Sequence, residues 1–160
     1  HRDSDFDGTE TASRAPFNEY AERITGPELE LADAKELCAA ARFCDRAGGT
    51  WNLTRRSDNP KFKRTAIREA QDCPSGRLVA LEKETGRPLE PELAHEIAVV
   101  EDEFHEAAGP LWLKGGIPLQ SADGREYEVR NRMTLCRCGH SRNKPFCDGR
   151  HLSNDYRTKE

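Results

Sequence analysis

The sequence has no long apolar run: no stretch approaches the roughly 18 residues needed to cross a bilayer, so no membrane-spanning role is expected. It also has no excess of positive charge. Lys and Arg number 25 against 29 Asp and Glu, a net charge of −4, which argues against a globally basic nucleic-acid binder, though not against a local patch. It has no Gly-rich phosphate loop, since Gly48–Gly49 and Gly115–Gly116 are isolated pairs that read as turns. Ser75, in Pro74-Ser75-Gly76, has no nucleophile elbow around it, and the five His show no triad logic. An enzyme is therefore not expected. No secretory leader is visible, and hydrophobic residues (35 %) barely match charged ones (34 %). A modest core of this kind favours an added staple, either a metal or a disulfide.

What the chain does have is cysteine. Six Cys fall into two groups of three: Cys38, Cys44 and Cys73, then Cys136, Cys138 and Cys147. Disulfides would leave one Cys over in each group unless a bridge joined the groups. Two metal sites of three thiolates each need no such coincidence, and the lack of a leader favours reduced thiols.

The pattern along the chain predicts an α+β protein in two parts. Residues 1–19 lack periodicity and read as an extended arm, and residues 20–82 form a first, small domain. Within it Asn59–Pro60 is a turn, and Phe62, Ala66, Ile67 and Ala70 recur at helical spacing up to Cys73. Pro74 stops that helix, and Arg77–Leu81 reads as a strand. Residues 82–106 hold nine Asp or Glu against Lys83 and Arg87. With Pro88 and Pro91, residues 83–95 read as an acidic linker. Residues 96–160 form a second, β-rich domain, with strands expected at Ile97–Val100, Leu111–Lys114, Ile117–Gln120 and Tyr127–Leu135.

The second domain ends in Cys136-Arg137-Cys138-Gly139-His140-Ser141-Arg142-Asn143-Lys144-Pro145-Phe146-Cys147-Asp148-Gly149-Arg150-His151. Cys136 and Cys138 point the same way if Arg137 lies extended. Gly139 lets the chain turn back, and Pro145 fixes the approach to Cys147. A helical start after Asp148–Gly149 would put Cys147 and His151 on one face. Four such donors can enclose a metal centre. On the residues alone, structural zinc and an iron–sulfur cluster both remain open. The Cys-x-Cys step argues mildly against zinc, which usually has two to four residues between paired Cys.

This run resembles the CDGSH iron–sulfur family. The family's pattern is met at Cys136, Cys138, Ser141, Pro145, Cys147, Asp148, Gly149 and His151, over about 40 residues. One departure is Arg150, where the family's name expects Ser. The resemblance implies a 2Fe–2S cluster held by Cys136, Cys138, Cys147 and His151.

Cys38-Ala39-Ala40-Ala41-Arg42-Phe43-Cys44 and the distant Cys73-Pro74 resemble divergent single-cluster ferredoxins, with Ala41 where the middle thiolate would stand. Alanine has no donor atom. The resemblance thus implies a 3Fe–4S cluster on Cys38, Cys44 and Cys73. The alternatives are a 4Fe–4S cluster whose fourth iron takes water or another side chain, and three buried thiols with no cluster. The pairing of this segment with a CDGSH-type one resembles a bacterial and archaeal arrangement, and a cytoplasmic protein is expected.

The expected function is electron transfer by a two-cluster protein. Cluster storage or transfer to an apo-acceptor is the alternative, because a protonated imidazole cannot ligate iron. A structural zinc module for protein interaction is a third reading. The expected partner is a redox protein or an apo-acceptor, and a homodimer is possible; neither nucleic acid nor membrane is expected. Trp51 and Trp112 are expected to pack in the core, and His95, His105 and His140 to face solvent.

Overall fold

The fold was obtained as a computed structural model, which describes residues 15–103, 106–154 and 156–157. It is α+β, built on two three-stranded antiparallel sheets. One helical turn, α1 (Phe17–Tyr20), leads into β1 (Glu22–Thr25) and β2 (Leu29–Asp33). Helices α2 (Thr50–Arg55) and α3 (Pro60–Gln71) follow, and then β3 (Leu78–Glu82). The second sheet is made by β4 (Glu96–Asp102), β5 (Ala107–Lys114) and β6 (Arg132–Leu135), and a short helix α4 (Arg150–Ser153) comes last.

Strand β2 is central in the first sheet, paired with β1 on one side and β3 on the other. Its residues alternate between two cores, as a two-residue period requires. Leu29 and Leu31 pack with Leu53, Ala66 and Ala70 of the helices. Ala32 lies with Leu81 on the opposite face, against Leu113, Met133 and Phe146 of the C-terminal half. The first sheet is therefore covered on both faces, and the two halves share one core. Helix α3 starts where Asn59 Oδ1 accepts from the Lys61 N–H at 2.9 Å and Pro60 takes the first helical position. A cap of this kind is worth about 1 kcal/mol.

Three sequence expectations meet a different outcome. The first 14 residues of the expected arm lie outside the described residues, and its end is helical, with Phe17 buried in the shared core. Ile117–Gln120 forms no strand, only an isolated bridge from Gln120 to Glu126. Of Tyr127–Leu135, only Arg132–Leu135 joins the sheet. The alternation of Tyr127-Glu128-Val129-Arg130 mimics a strand, but two of its polar residues serve the N-terminal half. Glu128 accepts from the Phe17 N–H at 2.8 Å, and Arg130 donates to the Gly76 carbonyl at 2.5 Å. Residues 83–95 pack against the body as well: Leu89 donates to Ala80 at 2.8 Å, and Glu90 holds Arg132.

Candidate metal centres

At the C-terminal site, β6 delivers Cys136. The Cys136 N–H is fixed by the Pro145 carbonyl at 2.8 Å, and the Cys147 N–H by that of Thr134 at 2.8 Å. These two bonds fold the motif back on the end of β6, so that its two ends meet. Ser141 braces the loop: its Oγ donates to the Phe146 carbonyl at 2.6 Å and accepts from Asn143 N–H at 3.0 Å. The Asp148 carboxylate accepts the backbone N–H groups of Arg142 (3.0 Å) and Arg150 (3.2 Å). Gly139 (φ +79°) and Gly149 (φ +82°) take the left-handed backbone that the two turns need.

The four expected donors are thereby brought together as two pairs. Cys136 Sγ and Cys138 Sγ lie 3.9 Å apart, and Cys147 Sγ lies 3.5 Å from His151 Nδ1 on the first turn of α4. Among the described residues, no three His, Cys, Asp or Glu side chains are grouped to hold a single ion. Two pairs suit two metal atoms, each taking one pair. Cys147 and His151 are each only 4 % exposed. Burial, with the Cys136 and Cys138 sulfurs and Asp148 nearby, pushes the Cys147 thiol up to about 12, while the Gly149 N–H works the other way. Burial raises the Cys138 thiol too. A bound metal would supply the positive charge that stabilises these thiolates. Backbone N–H groups of His140 and Gly149 already point at Cys138 Sγ and Cys147 Sγ, each at 3.4 Å. The donor set and its environment fit a cluster of two irons.

The N-terminal site is a shallow recess lined by Cys38 to Cys44, Cys73 to Ser75, Arg77 and Leu78. All three expected Cys line it, and all are unpaired as disulfides. Ala40 and Arg42 sit at φ +60° and +61°, so the loop between Cys38 and Cys44 curls around the recess. Ala41 stands at its exposed edge. Burial raises the Cys44 thiol, as do Cys73 and Cys38, while Arg77 opposes them. The three thiols thus open onto one recess.

Two residues that were not singled out in the sequence hold this recess. Arg77 reaches it from the start of β3, and its guanidinium is locked by Asp33, at 2.6 and 3.0 Å, with Trp51 Nε1 donating to the same carboxylate at 2.8 Å. Burial acts against the charge of Arg77, but its bonds to Asp33 and Cys38 outweigh that and keep it firmly protonated. Arg132, 2 % exposed, donates to the carbonyls of Ala70 (2.9 Å), Gln71 (2.8 Å) and Cys73 (2.5 Å). No local pattern marks Arg132, because the strand alternation places it on the face opposite Met133 and Leu135, where the bonds it makes are long-range. Trp51 thus does more than pack.

His95 and His140 are exposed, and His105 lies outside the described residues. No helix among the described residues is long and apolar enough to cross a membrane.

No curated protein and no solved structure is significantly similar to the chain. Two family models do match it. Residues 24–83 match the divergent 4Fe-4S mono-cluster family, which takes in Cys38, Cys44, Cys73 and Arg77. Residues 108–152 match the CDGSH-type iron-binding zinc finger family, which takes in Cys136 to His151. The chain thus carries, in order, a segment similar to the divergent 4Fe-4S mono-cluster family and a segment similar to the CDGSH-type iron-binding zinc finger family.

Proposed function

We propose that the chain is a two-cluster electron-transfer protein. Cys136, Cys138, Cys147 and His151 would hold a 2Fe–2S cluster, and Cys38, Cys44 and Cys73 a second one. Three thiolates favour 3Fe–4S there, whereas the name of the matching family favours 4Fe–4S with a fourth ligand that is not Cys. Iron–sulfur clusters, when bound, accept and release single electrons.

The observation that carries the reading is the arrangement of the C-terminal donors in two pairs, at 3.9 Å and 3.5 Å. The protein's part is to bind, to exclude water and to set charge. Burial of Cys147 and His151 keeps solvent from the side where imidazole replaces thiolate. It also shields these ligands from an apo-acceptor, which favours electron transfer over cluster delivery. The partner would be a soluble one-electron carrier.

Anaerobic purification with a visible spectrum and counts of iron, sulfide and zinc tests the reading. About two irons at the C-terminal site and three or four at the N-terminal one are expected, with little zinc. A colourless protein with stoichiometric zinc would overturn it. Loss of the 2Fe–2S cluster to an apo-ferredoxin, without stable redox cycling, would favour cluster delivery instead.

A further inference from the structure

The motifs that carry the two sites approach each other closely at Gly149. A methyl group placed on Gly149 would stand 3.0 Å from the Ala40 Cβ, 3.6 Å from the Cys38 carbonyl oxygen and 3.7 Å from the Ala39 carbonyl carbon. Gly149 lies two residues from both Cys147 and His151, and Cys38 is a donor of the N-terminal site. Only a glycine lets the two loops come this close, and its φ of +82° suits no other residue well. We propose that the Gly149–Ala40 contact is an electron path between the two sites, so that the chain moves single electrons internally rather than serving two partners independently. This rests on the two-cluster reading above.

The fold treats the contact as a fixed one. Asn143 Nδ2 donates to the Glu36 carbonyl at 3.2 Å, tying the C-terminal motif to the residues just before Cys38. Arg132 ties β6, the strand that leads to Cys136, to the Cys73 carbonyl and to the Leu78 carbonyl at 3.3 Å. Each ligand loop is thus bolted to the other half of the molecule. Between them lies a shared core of Ala34, Leu37, Met133 and Phe146. A close-packed junction keeps the separation constant. Electron tunnelling falls off steeply with distance and faster through solvent gaps than through bonded atoms. The close approach of the Gly149 turn to Ala40 and the Cys38 carbonyl therefore offers a route through packed atoms rather than through solvent.

In one passage, a single electron leaves the N-terminal site and the same electron arrives at the C-terminal site. No atom is transferred and no covalent bond to a substrate forms. An external one-electron carrier reduces the first site. The direction is set by the difference in potential between the two sites, which a redox titration of the two signals reads.

Electron paramagnetic resonance on the full chain tests the proposal, with Cys73→Ala and Cys147→Ala as single-site comparators and iron counted in each. Adjacent sites predict that the reduced C-terminal signal is broadened in the full chain and saturates at several-fold higher microwave power than in Cys73→Ala. After pulsed reduction, electron arrival at the C-terminal site should also be independent of protein concentration. Two filled sites whose spectra add, or arrival rates proportional to concentration, would overturn the path while leaving the two-cluster reading intact. A wild-type chain with iron at one site alone would overturn both.

Discussion

Arg132 of β6 donates from Nη1 to the carbonyl oxygen of Cys73, 59 residues away in the other half of the chain. The same guanidinium is 1 % exposed and is paired with Glu90 at 2.6 Å. Replacing Arg132 with Met would remove the buried cation that pairs with Glu90 and donates to the Ala70, Gln71 and Cys73 carbonyls, leaving Glu90 only its bond from Asn131. Breaking a buried pair in this way costs roughly 3–5 kcal/mol. Chemical denaturation of the Arg132→Met variant should show a loss of that order, and iron should fall first at the N-terminal site, whose Cys73 loop is released. Unchanged stability would mean that water replaces the guanidinium.

Cys147 and His151 offer a sharper test of ligand identity. Replacing His151 with Cys should keep the 2Fe–2S cluster and lower its reduction potential. Thiolate brings a negative charge where neutral imidazole had none, which disfavours the reduced state, and nitrogen ligation raises the potential of Rieske centres in the same sense. The 3.5 Å separation on one helical turn leaves room for the swap. Protein-film voltammetry reads the shift, and an unchanged or higher potential would remove His151 from the ligand set.

Replacing Ala41 with Cys should favour a 4Fe–4S cluster at the N-terminal site. Ala41 lines the recess between Cys38 and Cys44, at its exposed edge. A thiolate there would stand where single-cluster ferredoxins place their middle ligand. Electron paramagnetic resonance distinguishes the two cluster types, and no change of type would mean that the fourth corner is blocked or already ligated.

Arg77 should tune that same site. Its guanidinium is held by Asp33 and lines the same recess as Cys38, so it places a fixed positive charge near the donor sulfurs. Replacing Arg77 with Met removes that charge. The potential of the N-terminal site should fall while the C-terminal one stays put, as separate redox titrations of the two signals would show. Parallel shifts at both sites would indicate a general loosening of the fold instead.

The site was more legible in the sequence than the fold around it. Ligand spacing is local: Cys136 and Cys138 two apart, and Cys147 and His151 four apart, determine their own proximity once the loop folds back. Helix α3 was equally readable, because Asn59, Pro60 and a helical apolar stripe agree with one another. What could not be read was long-range. Tyr127 to Asn131 alternate as a strand does, yet their bonds go to Phe17, Gly76, Glu90 and Pro91. The contact of Gly149 with Ala40 is likewise invisible to any local pattern, since 109 residues separate them in the chain.

The basic rim of the C-terminal motif closes the set of tests. From Arg125 to His151 the chain carries seven Arg or Lys against three acids, a local excess suited to an acidic redox partner. Part of it is spent internally. Arg137 pairs with Glu101 at 2.8 Å, which is the acidic stretch folding back on the motif, and Arg150 pairs with Asp148 at 2.9 Å. Arg142 is exposed, and Lys144 is half-buried two residues on. If these two steer an acidic partner, changing both to Glu should slow electron exchange with an acidic ferredoxin at low salt and abolish its dependence on ionic strength. Changing Arg137 to Gln should have a smaller effect, because Glu101 already offsets its charge. The comparison must be made below and above 0.1 M salt, where screening acts over roughly 10 Å. Rates unchanged at low salt by the double reversal would place docking on another face, because a steering patch works through the very field that salt removes.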